Sequence, residues 1–527
     1  MKQKVQVYDT TLRDGAQAAG IAFSDTGKVR FAKALDDFGV DYIEGGYAGS
    51  NPRDLKFFAD MAKETLHHAR IVAFGSTRRA SADVRSDPQL QGLLRAETSV
   101  CAIFGKSWLL HVSEVLRTTA ENNLQMIADT VGYLKQSGRE VIFDAEHFFD
   151  GYADNPDYAF EVLRTAVREG ASQLTLCDTN GGRLPHEIAT AVAAVVHEFP
   201  QVSIGIHAHN DSGVAVANSI EAVRSGATLI QGTMNGFGER CGNADLLTII
   251  PSLELKLKIP CVGRRNLRKL RALSLLADEL TNQRPDPRYP YRGASAFSHK
   301  AGTHVNAVLK NPVTFEHIAP EVVGNKREIL VSELAGAANI QMKAKELGVD
   351  QLASDKVVAR QVLDELKSKE RQGYSFESAD GSFKLLMRRV MKLNRHLFEF
   401  EGFRVITEKR SRDEQCITEA TVKISVDGVT ELTVGEGNGP VDALDVALRK
   451  ALSKFYPEIS RMSLTDFRVR ILDPESAARA VTRVVIESTD GAKSWGTVGV
   501  SQNIIEASWQ ALLDSVEYKL SEKGFKK

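Results

Sequence analysis

The chain has 527 residues, 43% of them hydrophobic and 26% charged, a length that predicts two or three globular domains rather than one core. With 67 Lys+Arg against 68 Asp+Glu, it lacks the basic excess of a nucleic-acid surface. No apolar run approaches the ~20 residues of a membrane span, and five cysteines (Cys101, Cys177, Cys241, Cys261, Cys416) without C-x-x-C spacing make a poor zinc or disulfide framework.

The N-terminus, MKQKVQVYDTTLRDG, has no apolar secretory segment and enters a strand almost at once. With the cysteine usage, this predicts a cytoplasmic protein. From residue 5 to about 258, strand-like runs alternate with helical patterns. The runs are 5–9, 42–46, 70–76, 99–105, 140–148, 173–179, 202–209 and 228–234. Most are continuously apolar, as strands buried on both faces of a parallel sheet are. Helical period recurs between them, for instance over 25–38 and 156–169. Gly39, Gly138, Gly170 and Gly226 stand just before strands, where helices are capped. Eight strand–helix units predict a TIM (β/α)8 barrel. A doubly wound open sheet is the alternative, and the lack of a G-x-G-x-x-G after a strand disfavours its nucleotide-binding form.

In a barrel, the C-terminal strand ends share one rim. The unusual polar residues crowd those ends: Asp9 to Asp14, Glu44, Ser76-Thr77, Glu146, Asp178-Thr179, His207 and His209, and Asn235 to Asn243. His207 and His209 lie two apart on a strand and so face one side, suited to one divalent metal, although two ordinary polar histidines fit the same pattern. Asp14 is the candidate third ligand, leaving positions open for catalysis. Arg13-Asp14 also reads as a loop salt bridge, and Arg13 as a fixed cation aimed at a developing alkoxide. Asn243 closes the glycine-rich loop Asn235–Asn243 and reads equally as a functional residue or a helix cap.

Residues 259–395 are charged and mainly helical, as in 326–349, and read as a linker subdomain. Residues 396–527 contain two similar units. Strand runs 401–408, 417–426 and 429–435 precede a helix at 440–452. Runs 464–473, 481–489 and 494–500 precede a helix at 503–520. Thr433-Val434-Gly435 matches Thr497-Val498-Gly499, so an α+β domain with a doubled βββα module is expected. The expected division is therefore a 1–258 barrel, a 259–395 helical linker and a 396–527 C-terminal domain.

DTTLRDGAQ, HAHND, NGFGERCGN and, later, GNGPVDAL at 437–444 occur together in this order. They resemble the acyl-CoA-condensing branch of the DRE-TIM metallolyases, which holds the 2-isopropylmalate, homocitrate and citramalate synthases. The segment 43–54, IEGGYAGSNPRD, is more similar to the citramalate synthase version than to the isopropylmalate one.

The resemblance implies acetyl-CoA as a substrate, with pyruvate as the 2-oxo acid acceptor in the citramalate case and 2-oxoisovalerate in the runner-up. It implies a divalent metal (Mg, Mn or Zn) held by Asp14, His207 and His209, with Asn243 nearby or coordinating. It makes Arg13 a catalytic and substrate-binding residue, Glu146 the strand-5 acid, and Thr179 the residue holding the substrate carboxylate. His304, in FSHKAGTHVNA, is the implied base, commonly supplied by a neighbouring protomer; His299 is a weaker candidate that also reads as a structural loop histidine. The C-terminal domain is implied to be regulatory, to form a homodimer and to bind isoleucine; a dimerisation domain without effector is the alternative. The chain departs from the family at Phe315, where a tyrosine is frequent, so water or His317 is left to assist proton transfer. From another class, an inactive amino-acid sensor would need a lost metal ligand, and none is lost.

Overall fold

The computed structural model describes all residues except 1–2, 50–51, 333–334, 394–396, 410, 413–414, 474, 476–479 and 523–527. Ser50 and Asn51 of the 43–54 segment, Glu333 and Leu334 of the 326–349 segment, and the expected boundary at 395/396 therefore fall outside the described residues.

Eight parallel strands close into a barrel in sequence order. They are β1 (Gln6–Asp9), β2 (Tyr42–Tyr47), β3 (Arg70–Ser76), β4 (Val100–Lys106), β5 (Glu140–Glu146), β6 (Gln173–Asp178), β7 (Ser203–Ala208) and β8 (Leu229–Gly232). Closure is made by β1 on β8, with Val7 opposite Ile230 and Asp9 opposite Gly232. The continuous apolar runs now have their cause. One side of six of the strands fills the barrel with Tyr8, Tyr42, Val72, Val100, Ile142 and Leu229. The other side meets the surrounding helices, through residues such as Val7, Ile43, Cys101, Val141 and Ile206. The helices begin and end where their caps dictate. The helix Asp25–Phe38 starts at Ser24, whose Oγ accepts from the Gly27 amide, and stops at Gly39 with φ +95°. Gly138, Gly170 and Gly226 are likewise left-handed.

The chain forms two compact units. The first is Met1–Phe297 with Ile318–Lys326, and the second is Ser298–His317 with Arg327–Lys527. Leu267, Leu270, Leu273 and Ala277, which the sequence division places beyond residue 258, pack in the same core as the barrel helices. In the second unit, helices Ala337–Glu346, Lys356–Arg371 and Asp380–Val390 share a core that includes Ile340, Leu366 and Phe383.

The same unit ends in two three-stranded antiparallel sheets. The strands Glu399–Glu408, Ile417–Val426 and Val429–Gly437 carry the helix Pro440–Leu452. Ser463–Ile471, Thr482–Thr489 and Ser494–Ser501 carry Ile504–Glu522. The repetition reaches individual atoms. Thr433 Oγ1 donates to the Ala447 carbonyl, and Thr497 Oγ1 to the Ala511 carbonyl, both at 2.7 Å. The first strand of each sheet shifts register at the matching place, Phe400/Gly402 and Leu464/Asp466. Each helix lies so close to its sheet that a side chain is excluded: a Cβ on Gly499 would stand 1.9 Å from the Ala507 carbonyl oxygen. Gly499→Ala is expected to destabilise this domain by about 1–3 kcal/mol, the usual cost of overpacking, while urea unfolding followed at the barrel stays unchanged.

Candidate active site

The loop after β1 is tied down before it delivers its two charged residues. Asp9, fully buried, accepts from the Thr11 amide (3.1 Å) and hydroxyl (2.7 Å). Thr11 Oγ1 in turn accepts from the Met234 amide at 2.8 Å, joining this loop to the one after β8. Burial pushes the Asp9 carboxyl up to about 7, with the Thr11 hydrogen bonds opposing it. The backbone turns at Thr10, whose carbonyl accepts from Arg13 and Gly15, and presents Asp14 to the barrel axis.

Asp14 meets both histidines of β7. Its Oδ2 is 3.1 Å from His207 Nε2 and 3.9 Å from His209 Nε2, and the two Nε2 atoms are 3.4 Å apart. All three residues are buried, and one ligand atom from each falls within 4.8 Å of the others. Asn243 joins them, its Nδ2 donating to Asp14 Oδ2 at 2.7 Å and lying 3.3 Å from His207 Nε2. It arrives there because residue 243 bridges to His209 across the strand end. Gly238 makes room: a Cβ on it would stand 2.0 Å from Asn243 Oδ1. So Asn243 is turned into the cluster, while Asp245 caps the next helix by accepting from the Leu247 amide.

A carboxylate and two imidazoles converging in a buried pocket match the donor set of a divalent cation. The buried Asn243 Oδ1 of this group has no hydrogen-bond partner among the described residues. The donors therefore fit a metal ion. Burial raises the Asp14 carboxyl, but Arg13 and His207 outweigh it and hold the group well below the carboxylate range. Burial, reinforced by the charge of His207, lowers His209 to about 4.

Arg13 is fixed from two sides. Its Nε is ion-paired with Glu44, which is fully buried on β2 and accepts from Tyr8 Oη at 2.5 Å. Its guanidinium carbon sits 3.8 Å from the centre of the Phe74 ring. Nη1 remains 3.6 Å from Asp14 Oδ1. A cation held this way is preorganised, which is what charge stabilisation in a transition state requires.

A cavity of about 640 Å³ opens above the cluster. Arg13, Asp14, Glu146, Thr179, His207 and His209 all line it. Glu146 is ion-paired with Lys106 of the adjacent strand. Thr179 Oγ1 accepts from the His147 amide at 2.9 Å, which leaves the hydroxyl proton to be given to a ligand. His304 belongs to the second unit, on the helix Gly302–Lys310, where its exposed ring stacks on Phe315 with centroids 4.3 Å apart. Phe315 thus supplies a ring against which the imidazole packs. His299 Nε2 lies 3.1 Å from Glu316, which Arg327 also grips at 2.6 Å, a structural arrangement.

Sequence reasoning placed Glu44 on the rim without giving it work, and it missed Lys106, Asp144 and Gln231. The last two are polar residues inside apolar strand runs, EVIFDAE and TLIQG, and that interruption was the available signal.

The family model described as HMGL-like matches residues 4–275, Homocitrate synthase post-HMGL domain-like matches 292–373, and LeuA allosteric (dimerisation) domain matches 377–520. An (R)-citramalate synthase of Aquifex aeolicus (strain VF5) is 52% identical over 521 residues, covering 99% of this chain and 98% of its own. One of Geobacter sulfurreducens is 51% identical over 516 residues, covering 98% of this chain and 97% of its own. A 2-isopropylmalate synthase of Aquifex aeolicus is more distant, 29% identical over 531 residues, covering 100% of this chain and 98% of its own.

Proposed function

The chain belongs to the (R)-citramalate synthase family, and on that premise we propose that its rim condenses acetyl-CoA with pyruvate and water to give citramalate and CoA. The observation that carries this is the convergence of Asp14, His207 and His209 beside a preorganised Arg13, on the wall of one cavity.

The proposed roles rest on the family resemblance, and the rim geometry supports those of the residues that line the cavity. Asp14, His207 and His209, with Asn243, hold the divalent ion, of which Mg, Mn and Zn are the candidates. When bound, that ion supplies Lewis acidity at the ketone of the 2-oxo acid. Thr179 donates its free proton to the acceptor carboxylate. Arg13 stabilises the negative charge that grows on the ketone oxygen. His304, the base that the resemblance implies and that the family commonly supplies from a neighbouring protomer, would take a proton from the acetyl methyl group of acetyl-CoA. The resulting enolate carbon attacks the keto carbon, forming the new C–C bond as the C=O π pair moves onto oxygen, and that alkoxide takes back one proton to give the citramalyl thioester. Water then displaces the thiol, releasing CoA and leaving a carboxylate. Glu146, anchored by Lys106 on the cavity wall, is the candidate to hydrogen-bond the acceptor or the water.

In the second unit, we assign the C-terminal domain to feedback control and homodimer formation. Its sheets support the second role. The face of the first sheet turned from its helix exposes Ile406, Leu432 and Val434, and the edge strand of the second sheet exposes Phe467, Val469 and Ile471, each more than 40% accessible. Exposed apolar faces of this kind suit a partner subunit.

The test is release of free CoA thiol from acetyl-CoA and pyruvate by the full chain, with the product identified as citramalate by chromatography. Pyruvate-dependent release with that product supports the reading, and acetyl-CoA left intact with every 2-oxo acid overturns it in favour of an inactive sensor. Isoleucine added to the same assay is expected to lower the rate more than leucine does. A rate indifferent to both would reduce the domain to assembly alone.

A further inference from the structure

One ligand of the cluster has a support that none of the motifs contains. Gln231 is fully buried on β8, next to β7 in the barrel wall. Its Oε1 lies 2.9 Å from His207 Nδ1. Its Nε2 donates to Asp144 Oδ1 and to Thr175 Oγ1, each at 3.0 Å. Asp144 is on β5 and Thr175 on β6, both buried, so four consecutive strands meet in one hydrogen-bond chain.

The chain has a direction. A carboxylate accepts and does not donate, so Asp144 turns the amide NH2 of Gln231 toward itself. The amide oxygen is thereby left facing His207, and Nδ1 must carry a proton to meet it. The unprotonated lone pair of a neutral His207 is then on Nε2, the atom 3.1 Å from Asp14. Reversing the amide would put the proton on Nε2 and close that position to a cation. Which ring nitrogen is free is set by the partner of the other.

We propose that Gln231, aimed by Asp144 and Thr175, is a positioning residue that selects the metal-binding tautomer of His207. It touches no substrate and acts only through the imidazole. This rests on the metal-centre reading of Asp14, His207 and His209.

The experiment measures Mn²⁺ affinity of the full chain by calorimetry in the absence of substrates, with thermal unfolding recorded for every variant. Gln231→Met fills the same space without any of the three hydrogen bonds and is expected to weaken Mn²⁺ binding about 10- to 100-fold. Asp144→Asn, which frees the amide to turn, is expected to weaken it in the same direction. The pair Asp144→Asn with Gln231→Glu restores the direction of the chain. The introduced carboxylate accepts from His207 Nδ1–H on one side and from the introduced amide on the other, so affinity should return to within about threefold of the parent, a gap of under 1 kcal/mol.

Gln231→Met binding Mn²⁺ as tightly as the parent would overturn the proposal, and so would a double variant no better than Asp144→Asn alone. Should Gln231→Met fail to fold, the comparison of Asp144→Asn with the double variant decides the matter. A parent chain that binds no Mn²⁺ would overturn the metal centre itself, and this proposal with it. That outcome is distinct from loss of coupling between Gln231 and His207.

Discussion

Replacing His207 by alanine is expected to cut citramalate formation by at least about 10³-fold, the equivalent of roughly 4 kcal/mol of transition-state stabilisation. The residue is one of three that converge within 4.8 Å, and two protein donors are a weak site for a catalytic cation. Divalent-ion binding should fall with the rate. The barrel should survive. His207 makes no backbone sacrifice, and its loss leaves Gln231 Oε1 without its donor in a buried place, a cost of about 1–3 kcal/mol. Calorimetry for the ion, CoA release for turnover and circular dichroism for the fold separate these effects. A variant that keeps full turnover in chelated buffer would remove the metal from the account.

Arg13→Lys should be almost as damaging, although it keeps the charge. The guanidinium fork is ion-paired with Glu44 through Nε, stacked on Phe74 and still directs Nη1 toward Asp14. A lysine ammonium reproduces none of that planar geometry. The loss falls on the transition state, where the ketone oxygen gains its charge. Turnover should drop about 10²- to 10³-fold, comparable with removing one oxyanion donor, while KM for pyruvate changes little. Steady-state kinetics at saturating acetyl-CoA read this split. A variant with unchanged kcat and a raised KM would make Arg13 a binding residue only.

The barrel was legible because of a physical regularity. Strands buried on both faces need no polar side, so RIVAFGS and VCAIFGK announce themselves as runs, and the left-handed Gly39, Gly138, Gly170 and Gly226 mark where four of the helices stop. The doubled C-terminal module was legible because its repeats keep Thr433 and Thr497 in equivalent positions, each bonded to the helix packed on its own sheet. The converging pair His207 and His209 was legible through its i, i+2 spacing.

Their supports were not. Gln231 and His207 sit on different strands and become neighbours only when β8 lies beside β7. Glu44 and Arg13 meet only through the pairing of β1 with β2, and Glu146 finds Lys106 only through that of β4 with β5. Such contacts are properties of barrel closure, and no local period encodes them. The chain beyond residue 258 hid its allegiance for a related reason. The apolar stripe of the helix Leu270–Leu280 is visible in sequence, yet only packing shows that it covers the barrel.

The acceptor is the sharpest point at which the reading can be tried. Pyruvate and 2-oxoisovalerate differ by two methyl groups, and a hydrophobic pocket separates such pairs by about 10- to 200-fold per methylene. The decisive measurement is kcat/KM for CoA release with a panel of 2-oxo acids at fixed acetyl-CoA. The expected result is pyruvate above 2-oxoisovalerate by at least about tenfold, with citramalate as product. Release with 2-oxoisovalerate alone would contradict it.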